Sequence, residues 1–95
     1  MITYSWNKEK NLLLKETRKI SFEQIVMHIE QGDLIDIIVH PNDEKYLNQK
    51  ILIINVNNYI YTVPFIDNGN EWFLKTIIPN RKFTKKYLGG QNEKL

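Results

Sequence analysis

The stretch Ser21-Phe22-Glu23-Gln24-Ile25-Val26-Met27-His28-Ile29-Glu30-Gln31-Gly32-Asp33-Leu34-Ile35-Asp36-Ile37-Ile38-Val39-His40 contains the change of period on which the fold turns. Ser21 to Gln24 reads as a capping box, with a hydroxyl at the start of a helix and an amide three residues on. Phe22, Ile25, Val26 and Ile29 then recur at helical spacing until Gly32 stops them, which predicts a helix over 22–31. His28 falls off that stripe and is expected as a solvated helix residue. After Gly32 the period becomes two, with β-branched and aromatic residues gathered in four runs.

These runs are Leu34 to His40, Lys50 to Val56, Tyr59 to Ile66 and Trp72 to Ile78, ended by Pro41-Asn42-Asp43, Asn57-Asn58, Asp67-Asn68-Gly69 and Pro79-Asn80. Short loops between neighbours favour hairpins, hence a four-stranded antiparallel meander. Pro64 inside the third run lacks a donor and predicts a bulge or break in pairing. Upstream, Asn7 is placed to cap a helix over Lys8 to Lys19, with Leu13, Leu14 and Ile20 apolar and Lys8, Lys15 and Lys19 on a charged stripe. Downstream, Lys82 to Leu88 is expected to form one or two helical turns, and Gly89-Gly90 opens a frayed tail. The expected architecture is α+β: two N-terminal helices packed on one face of a four-stranded antiparallel sheet, with a short C-terminal helix. One domain over residues 1–88 and a flexible tail over 89–95 complete that reading.

A chain of 95 residues, 42% hydrophobic and 25% charged, suits one small core. Without cysteine it has neither a disulfide framework nor a thiolate zinc site, and two isolated histidines do not complete a metal centre. No metal or cofactor is expected. The longest aliphatic run, Ile51 to Ile54, is far below the about 20 residues of a membrane helix, and the first residues lack a signal peptide's basic and apolar regions. A cytoplasmic protein without a membrane partner is the expectation. Charge is uneven: residues 1–74 hold 7 Lys and Arg against 10 Asp and Glu, net −3, whereas residues 75–95 hold 6 against 1, net +5.

Three stretches resemble one family. Trp6-Asn7-Lys8-Glu9-Lys10-Asn11 and Ile20-Ser21-Phe22-Glu23 are similar to the opening of BrnT toxins, where Trp-Asp-x-x-Lys leads into the first helix and Val-Ser-Phe-Glu opens the second. Leu74-Lys75-Thr76-Ile77-Ile78-Pro79-Asn80-Arg81-Lys82-Phe83-Thr84 resembles the family's last-strand motif Arg-Ile-Ile-Ser-Ala-Arg-Lys-Ala-Thr. The chain departs at Asn7, where the family has Asp; at Lys45, where an Arg is common; and at Lys85-Lys86-Tyr87, where Glu-Arg precedes a Tyr. The resemblance implies a RelE-like fold and the toxin of a two-gene toxin–antitoxin module. Such a toxin is a metal-independent endoribonuclease that cuts messenger RNA, free or on the ribosome, and so inhibits translation and growth. The implied partners are RNA and a cognate antitoxin, often a ribbon-helix-helix DNA-binding protein.

Metal-free RNA cleavage needs a base for the 2′-hydroxyl, an acid for the leaving oxygen and cations for the phosphate. Lys75, Arg81, Lys82, Lys85 and Lys86 form a cluster with no acid between Lys75 and Lys86. Arg81 is the first choice, because a planar guanidinium holds two phosphate oxygens. Lys75 is expected to point with Phe73 and Ile77 along the last strand. A solvated basic end explains the same run without a ligand, as does an Arg81 ion pair with Glu71 or Asp67 across the hairpin. His40 is a candidate proton carrier near neutral pH, although a turn-stabilising hydrogen bond accounts for it as simply. Glu71 is a candidate base or a solvating hairpin charge. Lys85, Lys86, Tyr87 and Lys45 are candidate RNA contacts, Tyr87 by stacking or by capping the sheet edge. Tyr59, Tyr61 and Phe65 share a face with Val63, suited to base stacking or to the core. Trp6 is expected to anchor the first helix to the sheet. Two rivals stand beside the ribonuclease: a catalytically silent RNA-binding or antitoxin-binding domain, and an interaction module whose partner adds a strand to an open edge.

Overall fold

A computed structural model describes residues 1–39 and 48–92. Asn7 begins the first helix as expected: its side chain accepts from the Lys10 N–H at 2.9 Å, and α1 (Lys8–Arg18) ends at Lys19 in the left-handed conformation (φ 57°). Ser21 caps α2 (Phe22–Glu30) through the Gln24 N–H at 3.1 Å. Leu14, Ile20, Phe22 and Ile25 are buried, whereas Leu13 is exposed. Buried Asn11 ties the two helices together. Its Oδ1 accepts from the Phe22 N–H and its Nδ2 donates to Glu23, both at 2.8 Å.

His28 corrects an expectation, being only 7% exposed. Its Nδ1 lies 2.7 Å from Asp33 Oδ2, and the Asp33 N–H bonds the His28 carbonyl at 2.9 Å. A polar partner just beyond the helix end makes burial tolerable for a residue that periodicity alone places in solvent.

The sheet follows the antiparallel meander with two departures. Strands β1 (Thr3–Ser5), β2 (Leu34–Val39), β3 (Gln49–Val56), β4 (Tyr59–Asn68), β5 (Glu71–Leu74) and β6 (Ile78–Pro79) are arranged β1-β5-β4-β3-β2, with β6 paired to β4. The expected four-stranded sheet is therefore corrected: β1 is added at the edge, parallel to β5 with Tyr4 opposite Trp72. The expected single run from Trp72 to Ile78 is divided into β5 and β6. The reason is Pro64. Its carbonyl accepts from the Lys75 N–H at 2.8 Å, so its donor-less nitrogen faces the same neighbour, where the ladder steps out of register between Phe65–Leu74 and Thr62–Ile78. Across this step the alternation fails, leaving Lys75 exposed and Ile77 buried rather than both on one face. Arg18 secures the irregular segment by donating to the Ile77 carbonyl at 2.6 Å.

The turns carry suitable residues. Asn57 and Asn58 both have positive φ (54° and 67°), as a type I′ hairpin requires, and Gly69 (φ 79°) opens the two-residue link between β4 and β5. One core lies between the helix pair and the sheet, combining Leu14, Phe22 and Ile25 with Leu52, Ile54, Val63, Phe65, Leu74 and Ile77. Ile53 and Ile60 are fully buried outside that cluster, at alternate positions that face the other side. Against β4 packs α3 (Arg81–Asn92), which continues past residue 88, where a tail was expected. Gly89 is buried, so packing sustains the helix through a residue of poor intrinsic propensity.

Candidate nucleic-acid interface

The junction of β6 and α3 is built by two short polar side chains. Asn80 Oδ1 accepts from the Phe83 N–H at 2.8 Å and so caps α3, while the Asn80 carbonyl accepts from the Thr84 N–H at 3.0 Å and from its hydroxyl at 2.8 Å. The Thr84 hydroxyl also accepts from the Ile60 N–H at 2.9 Å, and the Asn80 N–H bonds the Ile60 carbonyl at 2.9 Å. Both backbone groups of Ile60 are thus satisfied by the start of α3, which takes the place of a paired strand. Thr84 is 8% exposed. In the Asn80-Arg81-Lys82-Phe83-Thr84 segment the first and last residues hold the helix, and the two cations between them are exposed.

Lys85 and Lys86 are exposed as well, one turn beyond Arg81 and Lys82. No acid lies in the first turn, and none of these four cations has an ion pair among the described residues. The arrangement opposes local helix electrostatics twice over. Cations sit at the positive end of the helix dipole, and Arg81–Lys85 and Lys82–Lys86 are like-charge pairs at i,i+4. Aromatic rings border them: Lys86 Nζ lies 5.5 Å from the Tyr87 ring centroid and 5.9 Å from that of Phe83, and the two rings meet edge to face at 5.9 Å. Arg81, Lys82, Lys85, Lys86 and Tyr87 are therefore brought together on one helix.

Other candidates are placed elsewhere. Lys75 is exposed beside Pro64, four residues along β4 from Ile60, roughly 13 Å at about 3.3 Å per residue. Glu71 is exposed opposite Asn68, eight residues along β4 from Ile60, roughly 26 Å by the same rise. Glu71 and Arg81 are thus placed at opposite ends of β4. Asp67 pairs with Lys50 at 2.9 Å and accepts from the Gly69 N–H at 3.0 Å, which together hold its carboxyl below the ordinary range. The alternative of an Arg81 ion pair across the hairpin is thus not met. His40 and Lys45 lie outside the described residues. Tyr61, Val63 and Phe65 pack in or against the core rather than forming an open platform, and Tyr59 is exposed at the hairpin end. Trp6 stacks on Phe22 (centroids 5.6 Å, planes 22° apart), so it anchors the start of α2 more directly than the sheet.

Sequence reading missed the structural roles of Asn80 and Thr84. Their signal is a capping side chain followed four residues on by a hydroxyl, immediately after a strand. Among the described residues, no three His, Asp or Glu side chains gather as a metal site, and no helix is long and apolar enough to cross a membrane. Comparison with known families, curated proteins and solved structures finds no match.

Proposed function

We propose that this protein is the toxin of a two-gene toxin–antitoxin module, a metal-independent endoribonuclease that cuts messenger RNA and so inhibits translation and growth. The observation that carries the proposal is the unneutralised Arg81-Lys82-Lys85-Lys86 surface at the start of α3. It costs the helix stability and gains a field suited to phosphates, and it falls in the stretch that resembles the BrnT motif. Arg81 holds the scissile phosphate through two oxygens; Lys82, Lys85 and Lys86 bind flanking phosphates, and Tyr87 stacks on a base. A cytoplasmic antitoxin, ribbon-helix-helix in type, covers the same surface with an acidic segment.

The test is cleavage of end-labelled RNA in EDTA, together with growth on induction. Arg81→Ala is expected to lower cleavage by about 10²- to 10³-fold, as for loss of one positioned transition-state contact, while the protein melts as the parent does. A stable Arg81→Ala protein that cuts as well as the parent removes the assignment.

One observation favours a second reading. None of the four cations has an ion pair among the described residues and no acid lies in the first turn of α3, which suits a catalytically silent RNA-binding domain of the same fold. Binding without cleavage in the same assay decides for it.

A further inference from the structure

Two of the motifs read from the sequence meet away from α3, around a cleft of about 370 Å³ lined by Trp6, Lys8, Asn11, Leu12, Lys15 and Glu23. The volume falls in the range of small-ligand sites. Its aromatic wall is fixed, because Trp6 is half-buried and stacked on Phe22. Its carboxylate is fixed as well: Glu23 Oε1 accepts from Asn11 Nδ2 at 2.8 Å and lies 3.8 Å from Lys15 Nζ. Asn11 is held in turn by the Phe22 N–H at 2.8 Å and is 5% exposed. Lys8 is exposed on the rim, with no ion pair among the described residues.

We propose that this cleft binds a guanine nucleotide, with the base on the Trp6 ring, its N1–H and N2–H donated to the Glu23 carboxylate, and its phosphate on the ammonium group of Lys8. As a subsite for an RNA strand, this rests on the ribonuclease reading of α3. The chemistry selects among ligands. A carboxylate accepts two parallel hydrogen bonds from adjacent donors, and guanine alone of the four RNA bases offers that pair on its Watson–Crick edge. Two ammonium groups against one carboxylate disfavour a cationic ligand, and the carboxylate disfavours an acidic peptide. A nucleotide uses the ring, the acid and the unpaired cation together. The Asn11 hydrogen bond, and more weakly Lys15, hold the Glu23 carboxyl below its ordinary range, so it is ionised at neutral pH.

Calorimetric titration of the full chain with GMP, AMP, CMP and UMP at low salt tests this, with RNA cleavage measured separately on the same preparation. GMP is expected to bind about tenfold more tightly than AMP, the discrimination of one good two-bond contact. Glu23→Gln is expected to bring the four nucleotides within about twofold of one another, because the amide presents a donor where guanine presents a second one. Its Oε1 still accepts from Asn11, and a thermal melt checks the fold. Lys8→Ala weakens all four alike. A short single-stranded RNA with one guanine that binds at least as tightly as GMP, and loses affinity in Glu23→Gln, marks the source as a strand; RNA binding that Glu23→Gln leaves unchanged, beside a preference for GMP, marks a free nucleotide. A parent protein that binds all four nucleotides equally, or none, overturns the proposal even if it cuts RNA. A protein that prefers GMP but does not cut RNA keeps the cleft and removes the ribonuclease reading.

Discussion

Thr84 shows how one side chain can serve position rather than chemistry. Its hydroxyl donates to the Asn80 carbonyl and accepts from the Ile60 N–H, joining the first turn of α3 to β4 just beyond the end of its pairing with β6. Thr84→Val keeps the shape and removes both bonds, leaving a buried N–H with no acceptor. The expected cost is about 1 to 3 kcal/mol of stability, read from chemical denaturation. Arg81, three residues earlier, is exposed and has no ion pair among the described residues. Its removal should leave stability within about 0.5 kcal/mol of the parent. The two variants therefore separate scaffold from interface within one motif: Thr84→Val lowers stability and Arg81→Ala lowers RNA cleavage. An Arg81→Ala protein destabilised as much as Thr84→Val would make Arg81 a structural residue instead.

At the scale of the element, α3 carries a conflict between stability and charge. Replacing Lys82 by Glu puts an acid in the first turn and opposite Lys86 at i,i+4, which removes one cation from the positive end of the dipole and turns the Lys82–Lys86 repulsion into an attraction. Lys82→Glu is expected to stabilise the protein by about 0.5 to 1 kcal/mol while weakening RNA binding, so the two effects have opposite signs. A gain in both would mean that the cations do not face RNA. Farther along, a Cβ built at Gly89 meets only Lys85 Cβ, at 4.0 Å. Gly89→Ala should therefore raise the melting temperature, by about 0.5 to 1 kcal/mol in stability, because it cuts backbone freedom in the unfolded chain without crowding the folded one. The same helix shows where sequence reading stopped. Both N-terminal helices were legible because Asn7 and Ser21 are capping residues followed by apolar periodicity, and the central hairpin was legible from Asn57-Asn58. The continuation of α3 through Gly89-Gly90 was not, since burial against the sheet sustains it. Nor was β1, whose three residues Thr3–Ser5 are too few to show a period and gain their pairing from β5. Pro64 did announce a break, but which neighbouring strand would be divided depends on the register of the whole sheet.

For the whole molecule, the site residues were legible in part, because a charge run is visible in sequence whereas distance across a sheet is not. Arg81 and its neighbouring lysines share one helix, but Glu71 lies at the far end of β4, a separation that only the hairpin register reveals. A small net charge of +2 hides a −3 body and a +5 end. With four of those cations gathered at the start of α3, a polyanion should approach that helix rather than coat the protein. If Arg81, Lys82, Lys85 and Lys86 each displace one counterion from single-stranded RNA, these four contacts should contribute about −2.8 to the slope of the logarithm of the affinity against the logarithm of salt concentration, at about 0.7 per phosphate contact. Each of the four changed singly to Ala should reduce the slope by about 0.7, with no dependence on RNA sequence. A half-buried lysine of α1 provides the comparison: Lys10→Ala, outside both the α3 surface and the Trp6 cleft, should leave the slope unchanged. Titrations at several salt concentrations decide between a localised interface and diffuse attraction. A slope near zero would remove the phosphate-binding role of α3. Equal losses for Lys10→Ala and Lys85→Ala would show that net charge, rather than this helix, draws the RNA.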